Sequence, residues 1–144
     1  MSVTPAHDLS VGAELPPLEI DVTTTLIVSG AIASRDFYAG HHDREFARRM
    51  GSDDVFMNVM TANGLVSRFV TDWAGPTARL TRMRLRLGAP NYPGDRMTLR
   101  GTVTAADREG GGLRLVIEVV GANSIGEHVR GEVALITSTN HDRG

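Results

Sequence analysis

The feature that most constrains the fold is an apolar helical segment followed by a change of period. From about residue 57 to residue 73 the sequence favours a helix, and Gly75-Pro76 ends it. Its apolar residues cover much of the helix circumference, with small residues between them: Val59, Met60, Leu65, Val66, Phe69, Val70 and Trp73, with Ala62 and Gly64. A helix this apolar is expected to be buried by other elements.

After Gly75-Pro76 the apolar period becomes two, which is typical of strands. The first such segment is half apolar and half basic, with Met83, Leu85 and Leu87 alternating with Arg82, Arg84 and Arg86. Turn residues separate three further predicted strands, at about 97–105, 113–120 and 129–137. Two successive hairpin-like connections favour antiparallel pairing. The prediction is an α+β fold in which an antiparallel sheet of about five strands wraps around the central apolar helix.

The region before the central helix is less regular. Residues 1–19 hold Pro5, Pro16 and Pro17 and are predicted to form an irregular N-terminal arm. Residues 20–33 are rich in β-branched side chains, which favours an extended conformation, with a helix as the alternative for 24–33.

A short helix is predicted over residues 44–50, with Asp43 as its N-cap and Gly51 just beyond its end. Phe46, Ala47 and Met50 share its apolar side. The length of 144 residues suits one core, so the whole chain, 1–144, is expected to be a single domain.

Composition removes several kinds of chemistry. All fifteen basic residues are arginine, cysteine is absent and the net charge is −2, so no catalytic lysine, thiol nucleophile or general attraction to nucleic acid is expected. The absence of cysteine suits a reducing compartment, and no apolar run approaches about 18 residues, so we expect a cytoplasmic protein without membrane spans. Histidine and acidic residues lack the spacing of a zinc site, so no metal is expected.

One loop concentrates ionisable side chains. Asp36 and His41 lie five residues apart on either side of Gly40, in a stretch without an apolar period. Asp with His is a common general acid–base pairing, because imidazole titrates near neutral pH and a carboxylate can orient it. The structural alternative is that Asp36 ends a strand and His41-His42-Asp43 begins a helix.

These elements and residues resemble the MaoC-like hot-dog family, which includes R-specific enoyl-CoA hydratases and dehydratases. The family motif runs small residue, Gly, Asp, any, Asn, Pro, any, His, any, Asp. Residues 34–43, Ser-Arg-Asp-Phe-Tyr-Ala-Gly-His-His-Asp, keep its Asp, its His and its trailing Asp. Pro93-Gly94-Asp95 before a strand is also similar, and the resemblance extends from about residue 11 to residue 138.

The chain departs from the family pattern at two places. Tyr38-Ala39 replaces the Asn-Pro pair, and Met57-Asn58 replaces the His-Gly that precedes the central helix. A closer resemblance is to the small subunits of actinobacterial steroid side-chain enoyl-CoA hydratases, in Arg-Asp-Phe, His-His-Asp-Arg and the Thr-Asp-Trp-Ala-Gly-Pro of residues 71–76. Members of that subgroup pair with a larger MaoC-like subunit and act on CoA esters of degraded sterol side chains.

The resemblance implies hydration of a trans-2-enoyl-CoA, or the reverse dehydration, with coenzyme A present only as part of the substrate. Asp36 and His41 would hold the water, and the backbone N–H of Asn58 would stabilise the thioester oxygen at a helix N-terminus. A simple N-cap is the alternative for Asn58. Tyr38 is a further candidate for substrate binding. Arg82, Arg84 and Arg86 are candidates for the CoA phosphates, with a solvated strand face as the alternative.

Three other functions remain open. A hot-dog thioesterase would place a carboxylate on the central helix, where Asn63 and Gly64 stand and the first carboxylate is Asp72. A non-catalytic subunit that only forms an interface would not require both Asp36 and His41, and a binding module without chemistry is the third. The chain has room for one hot-dog fold, so we expect a homodimer, or a heteromer with a larger MaoC-like subunit.

Overall fold

The computed structural model describes residues 9–138, in which one strand is followed by the helices and then by four further strands. In chain order they are β1 (Glu14–Val22), α1 (Thr24–Ala33), a 3₁₀ turn (Ala39–His41), α2 (Arg44–Arg49), α3 (Val59–Ala74), β2 (Arg79–Leu87), β3 (Asp95–Glu109), β4 (Gly112–Ala122) and β5 (Glu127–Ser138). The five strands form one antiparallel sheet in the order β1-β3-β4-β5-β2. The predicted α+β fold is confirmed.

Helix α3 is the central element, as the sequence predicted. Its buried residues recur at helical spacing and pack with the inner face of the sheet: Ala62, Val66, Phe69, Val70 and Trp73. Burial covers one face only, because Val59 and Met60 in the first turn are 48 % and 55 % exposed. The apolar residues at this end of the helix therefore remain available to a ligand or another chain.

The N-terminal prediction was wrong in part. Residues 1–8 of the predicted arm lie outside the described residues, but β1 begins at Glu14, inside the predicted arm. The strand accommodates Pro16 and Pro17 because β1 lies at an edge of the sheet and its pairing with β3 shifts register between Leu15 and Leu18. Proline lacks a donor for the ladder, so edges and bulges are where a sheet tolerates it.

The extended segment predicted over residues 20–33 ends at Val22, and the alternative prediction, a helix, is correct for Thr24–Ala33. The Thr23 hydroxyl caps this helix by accepting a 3.0 Å hydrogen bond from the Leu26 N–H. Burial of Ile27 and Ala31 then outweighs the β propensity of the neighbouring threonine and valine residues.

Helix α2 has the predicted Asp43 cap, whose carboxylate accepts from the Phe46 N–H at 3.0 Å. Of the three residues predicted on its apolar side, Ala47 is buried and Phe46 is half-buried. Met50 lies just beyond the last helical residue and is 64 % exposed. Within residues 9–138, no helix has both the length and the apolar character needed to cross a bilayer.

His128, near the start of β5, is a buried histidine with one unsatisfied nitrogen. Its Nδ1 lies 2.7 Å from the Ala89 carbonyl oxygen, which can only accept, so Nδ1 carries the proton. The second ring nitrogen, Nε2, is buried without a hydrogen-bond partner. Burial lowers the pKa of His128 below its usual 6.5, against the smaller opposing effect of the Ala89 hydrogen bond.

The buried histidine predicts acid sensitivity of the fold. Below about pH 6.5 the unfolded chain binds a proton at this histidine more readily than the folded chain, so stability falls as pH decreases through that range. We expect His128→Gln to reduce the loss of melting temperature between pH 7 and pH 5, measured by thermal denaturation beside the unaltered protein. Equal losses in the two proteins would contradict a role for His128.

Candidate active site

Asp36 and His41 face each other across the loop between α1 and α2. The Oδ2 atom of Asp36 lies 3.3 Å from Nε2 of His41. His41 is buried within the 3₁₀ turn, whereas about one third of the Asp36 side chain is exposed. The pair is thus buried on one side and open to a small molecule on the other.

Backbone hydrogen bonds fix the carboxylate end of this pair. The chain leaves α1 through Arg35, which adopts a positive φ of 56°, and the Asp36 N–H donates back to the Ala31 carbonyl at 2.9 Å. The Tyr38 N–H then donates to Asp36 Oδ1 at 3.3 Å. Asp36 therefore follows the C-terminal turn of a helix, where the structural alternative had it ending a strand.

A backbone carbonyl determines the orientation of the imidazole. His41 Nδ1 lies 2.7 Å from the Phe56 carbonyl oxygen, and that oxygen can only accept. The proton of neutral His41 is therefore on Nδ1, and Nε2 presents its lone pair toward Asp36. Two acceptors 3.3 Å apart need a proton shared between them or a water that donates to both from the open side. This arrangement can take up and return one proton.

The side chain of Asn58 completes the pair. Its Nδ2 donates to Asp36 Oδ2 at 3.1 Å and to Ser34 Oγ at 2.9 Å, while its Oδ1 caps α3 by accepting from the Thr61 N–H at 2.9 Å. The Asn58 hydrogen bond is the largest cause that lowers the pKa of Asp36, followed by the Tyr38 N–H and then His41, against the opposing effect of desolvation. The carboxylate is held in its ionised form.

Sequence reasoning placed Asn58 at the start of the central helix but did not find its side-chain contact with Asp36. The predicted backbone role at the thioester oxygen remains a prediction. The capping role could be predicted, because an asparagine immediately before an apolar helix commonly caps it. Its reach to Asp36, which precedes it by 22 residues, depends on how α1 packs against α3.

Gly30 allows α1 and α3 to approach each other at the site. A Cβ atom at Gly30 would overlap Thr61 Oγ1 and lie 2.9 Å from Thr61 Cγ2. The missing side chain therefore brings the end of α1, with Ser34 and Asp36, up to the cap of α3.

This close approach predicts an unusual effect of Gly30→Ala. The substitution raises helix propensity, yet the new methyl group must push α1 away from Thr61 and separate Asp36 from Asn58, so we expect about a tenfold to hundredfold loss of activity. Gly64→Ala is the matched control, because Gly64 is an exposed glycine of α3, where an added Cβ would meet no atom within 4 Å. The control should keep full activity and gain about 0.5–1 kcal/mol of stability by denaturant unfolding. Equal activities of the two variants would contradict the proposed effect of the helix spacing.

Aromatic rings surround His41 on its buried side. The ring centroid of Phe56 lies 4.8 Å from that of His41, and the Tyr38 ring lies 5.5 Å from it, both edge to face. Gly40 makes room for Tyr38, because a Cβ there would overlap the tyrosine ring. Tyr38, the predicted substrate-binding candidate, thus packs directly against His41 and is 45 % exposed.

Exposed apolar side chains flank Asp36 and Asn58 in sequence and form what we call the apolar rim: Ile32, Phe37, Val59 and Met60. Their exposed fractions lie between 48 % and 65 %. Ile32 is in the last turn of α1, Phe37 follows Asp36, and the other two form the first turn of α3. Exposed apolar residues close in sequence to polar functional groups are candidates for a binding site or an interface.

Comparison with known proteins identifies the family. No family model matches the sequence. The chain is 49 % identical over 125 residues to the 3-oxo-4,17-pregnadiene-20-carboxyl-CoA hydratase beta subunit of Mycobacterium tuberculosis, covering 87 % of this chain and 94 % of that protein. The chain belongs to the MaoC-like hot-dog family. Its curated relative is a hydratase subunit.

Solved structures agree with this assignment. The ChsH1-ChsH2 complex of M. tuberculosis contains a chain with 47 % identity and a TM-score of 0.83, covering 89 % of this chain and 98 % of that one. A MaoC-like dehydratase of Rhodospirillum rubrum has a TM-score of 0.77 at 19 % identity, covering 90 % and 93 % of the two chains, which shows a common fold. The predicted hot-dog fold is confirmed.

The three candidate arginines lie elsewhere on this MaoC-like chain. Arg82, Arg84 and Arg86 are exposed on β2, on the side of the sheet opposite Met83, whose sulfur contacts Ser67 of α3. Arg84 and Arg86 line a groove of about 430 Å³ with Arg130 and Glu132 of β5. Asp36 and His41 lie beside the N-terminus of α3, so the structure does not bring the arginines to the pair.

Within the described residues of this MaoC-like chain, the middle of the central helix carries no carboxylate of the kind expected in a thioesterase. The middle of α3 presents Asn63 and Gly64, and the first carboxylate of the helix, Asp72, lies in its last turn and is exposed. Among residues 9–138, no three His, Asp or Glu side chains gather in a way that could hold a metal ion.

Proposed function

We propose that this chain is the catalytic small subunit of an enoyl-CoA hydratase that adds water across a trans-2-enoyl thioester. The observation that carries the proposal is the 3.3 Å pairing of Asp36 Oδ2 with His41 Nε2, both oriented by other groups and open on one side. A pure interface subunit has no need of this arrangement. The name of the M. tuberculosis relative supports a steroid side-chain thioester as the substrate.

The geometry suits a single bound water. Asp36 and His41 would both contact the water from one side and remove its proton while its oxygen bonds to C3 of the enoyl group. The electron pair of the double bond moves toward the thioester carbonyl, and the pair returns a proton to C2, so that atoms and charge balance. Positioned acid–base groups of this kind contribute about 10²–10⁴-fold to a rate.

The start of α3 would stabilise the enolate oxygen. Its first N–H groups are the free donors of a helix N-terminus, and the backbone N–H of Asn58 adjoins them. Tyr38 and the apolar rim would contact the acyl group, and the arginines of β2 remain the candidates for the CoA phosphates. No cofactor besides the coenzyme A of the substrate is invoked.

A partner subunit forms part of the proposal. The M. tuberculosis relative was solved as the ChsH1-ChsH2 complex, and β2 pairs only with β5 among the described strands of this chain, so its other edge is free for a second sheet. A heteromer with a MaoC-like subunit would cover this edge and the apolar rim, and would enclose the acyl group beside Asp36.

The proposal is tested by co-expressing the chain with a larger MaoC-like subunit. The purified complex is given trans-2-enoyl-CoA thioesters with short, long and steroid acyl groups. Mass spectrometry should show the addition of one water to the acyl group, fastest for the steroid thioester. A thiol reagent detects free coenzyme A in parallel. Release of thiol without addition of water would identify a thioesterase and overturn the proposal.

A further inference from the structure

The amide of Asn58 has all of its hydrogen-bonding positions occupied. Its Oδ1 accepts from the N–H and the hydroxyl of Thr61, at 2.9 and 2.6 Å. Its Nδ2 donates to Ser34 Oγ and Asp36 Oδ2, at 2.9 and 3.1 Å. Only 3 % of the residue is exposed. An amide flip would turn its NH₂ group toward the Thr61 N–H, so the orientation with donors facing Asp36 is fixed.

Ser34 holds the other end of this arrangement. Its hydroxyl lies 2.8 Å from the Gly30 carbonyl oxygen and 3.1 Å from that of Ala31, and it donates its hydrogen to these carbonyls at the end of α1. Its oxygen therefore acts as the acceptor for Asn58. The Asn58 side chain thus ties the end of α1 to the start of α3.

The two polar side chains that contact Asp36 converge on the same oxygen. Asn58 Nδ2 and His41 Nε2 both lie within 3.3 Å of Oδ2, whereas the Tyr38 N–H donates to Oδ1 at 3.3 Å. We propose that Asn58 is a positioning residue, whose side-chain amide fixes the rotamer and the ionised form of Asp36 for hydration. This inference rests on the proposed function and assigns to the side chain a role separate from that of the backbone.

The proposal predicts a change in pH dependence. Asn58 donates to the ionised carboxylate and is the largest cause of the low pKa of Asp36. Of the described groups that contact Asp36, His41 is titratable, while the Asn58 amide and the Tyr38 N–H are neutral. Removing the amide raises the pKa of Asp36, so the acidic limb of kcat/KM must move to higher pH.

Asn58→Gly separates the side-chain role from the backbone role. Glycine keeps the backbone N–H and is tolerated at an N-cap, but it removes the amide. We expect kcat of the complex to fall about tenfold to hundredfold with KM roughly unchanged, and the acidic limb to shift upward. Thr23→Gly is the matched control, because Thr23 caps α1 through its own hydroxyl. Thr23→Gly should change neither kcat nor the pH at which the acidic limb of kcat/KM falls.

Asn58→Asp is the second variant. Its carboxylate retains an oxygen to cap α3 but faces Asp36 with an acceptor and a negative charge. This raises the pKa of Asp36 more than loss of the amide does, so the acidic limb of kcat/KM should move to higher pH than in Asn58→Gly. A variant with normal kcat and an unmoved acidic limb would overturn the positioning role, whatever its melting temperature.

A measurement without turnover separates this inference from the proposed function. The carboxyl carbon of Asp36 is titrated by ¹³C NMR in the unaltered chain and in Asn58→Gly. We expect a higher pKa of Asp36 in the variant. If the unaltered complex hydrates no enoyl-CoA, the proposed function fails while this titration still reports on Asn58. Identical titrations of the two proteins would overturn the inference even if hydration is confirmed.

Discussion

Asp36→Asn and His41→Ala are each expected to lower kcat for enoyl-CoA hydration by about 10²–10⁴-fold. Asparagine keeps the size of the side chain and a hydrogen-bond acceptor but cannot accept a proton. Alanine removes the Nε2 atom that lies 3.3 Å from the carboxylate. Steady-state rates of the purified complexes on one enoyl-CoA give the two values, and KM should change far less than kcat.

The double variant measures whether the two residues act together. They share one proton or contact one water together, so either loss disables the pair, and the double variant should be little slower than the slower single variant. Asp43→Asn is the matched control, because it changes an exposed carboxylate that caps α2 and leaves its capping oxygen in place. If the losses of kcat in the two single variants multiply in the double variant, the two residues act independently. Full activity of Asp36→Asn would assign the chemistry to the partner subunit.

The sequence predicted the second half of the fold because its signals there are local. The alternation of apolar and polar residues predicted β2, and the turns rich in glycine or asparagine predicted the hairpins that join β3, β4 and β5. A period-two pattern that buries one face needs no knowledge of distant contacts. Helix α3 was predicted for the same reason, and only its first turn proved more exposed than its composition indicated.

The first half was harder because tertiary contacts outweigh local propensity there. The β-branched residues around α1 favour a strand, but a threonine cap and the burial of Ile27 and Ala31 select a helix. Prolines 16 and 17 indicated an irregular arm, and only the edge position of β1 in the sheet explains how a strand can contain them.

The candidate site was predictable in its residue types and not in its hydrogen bonds. Asp36 and His41 are five residues apart in sequence, so a short loop can bring them together. The groups that orient them come from residues 15 and 22 positions away, Phe56 for His41 and Asn58 for Asp36. Those contacts depend on the close packing of α1 on α3 at Gly30, which no local pattern predicts.

The second large expected effect concerns the partner. We expect the chain alone to hydrate enoyl-CoA at least about tenfold more slowly than the heteromer, because the proposed partner supplies the other wall of the acyl site. Light scattering on the chain, with and without the MaoC-like subunit, gives the assembly, and rates on the same samples give the activity. The free edge of β2 and the exposed apolar rim are the surfaces that the partner would cover.

Met60→Glu tests the rim directly. Met60 is 55 % exposed in the first turn of α3, where a negative charge suits the helix dipole, so the isolated chain should keep its melting temperature. Covered by a partner, the same charge would be desolvated without a counter-charge, so association should weaken by about tenfold or more. Ile125→Glu is the matched control, since Ile125 is also 55 % exposed but lies in the turn between β4 and β5.

A monodisperse monomer that hydrates enoyl-CoA at the full rate would contradict the need for a partner, because its free β2 edge and uncovered rim would then be compatible with catalysis.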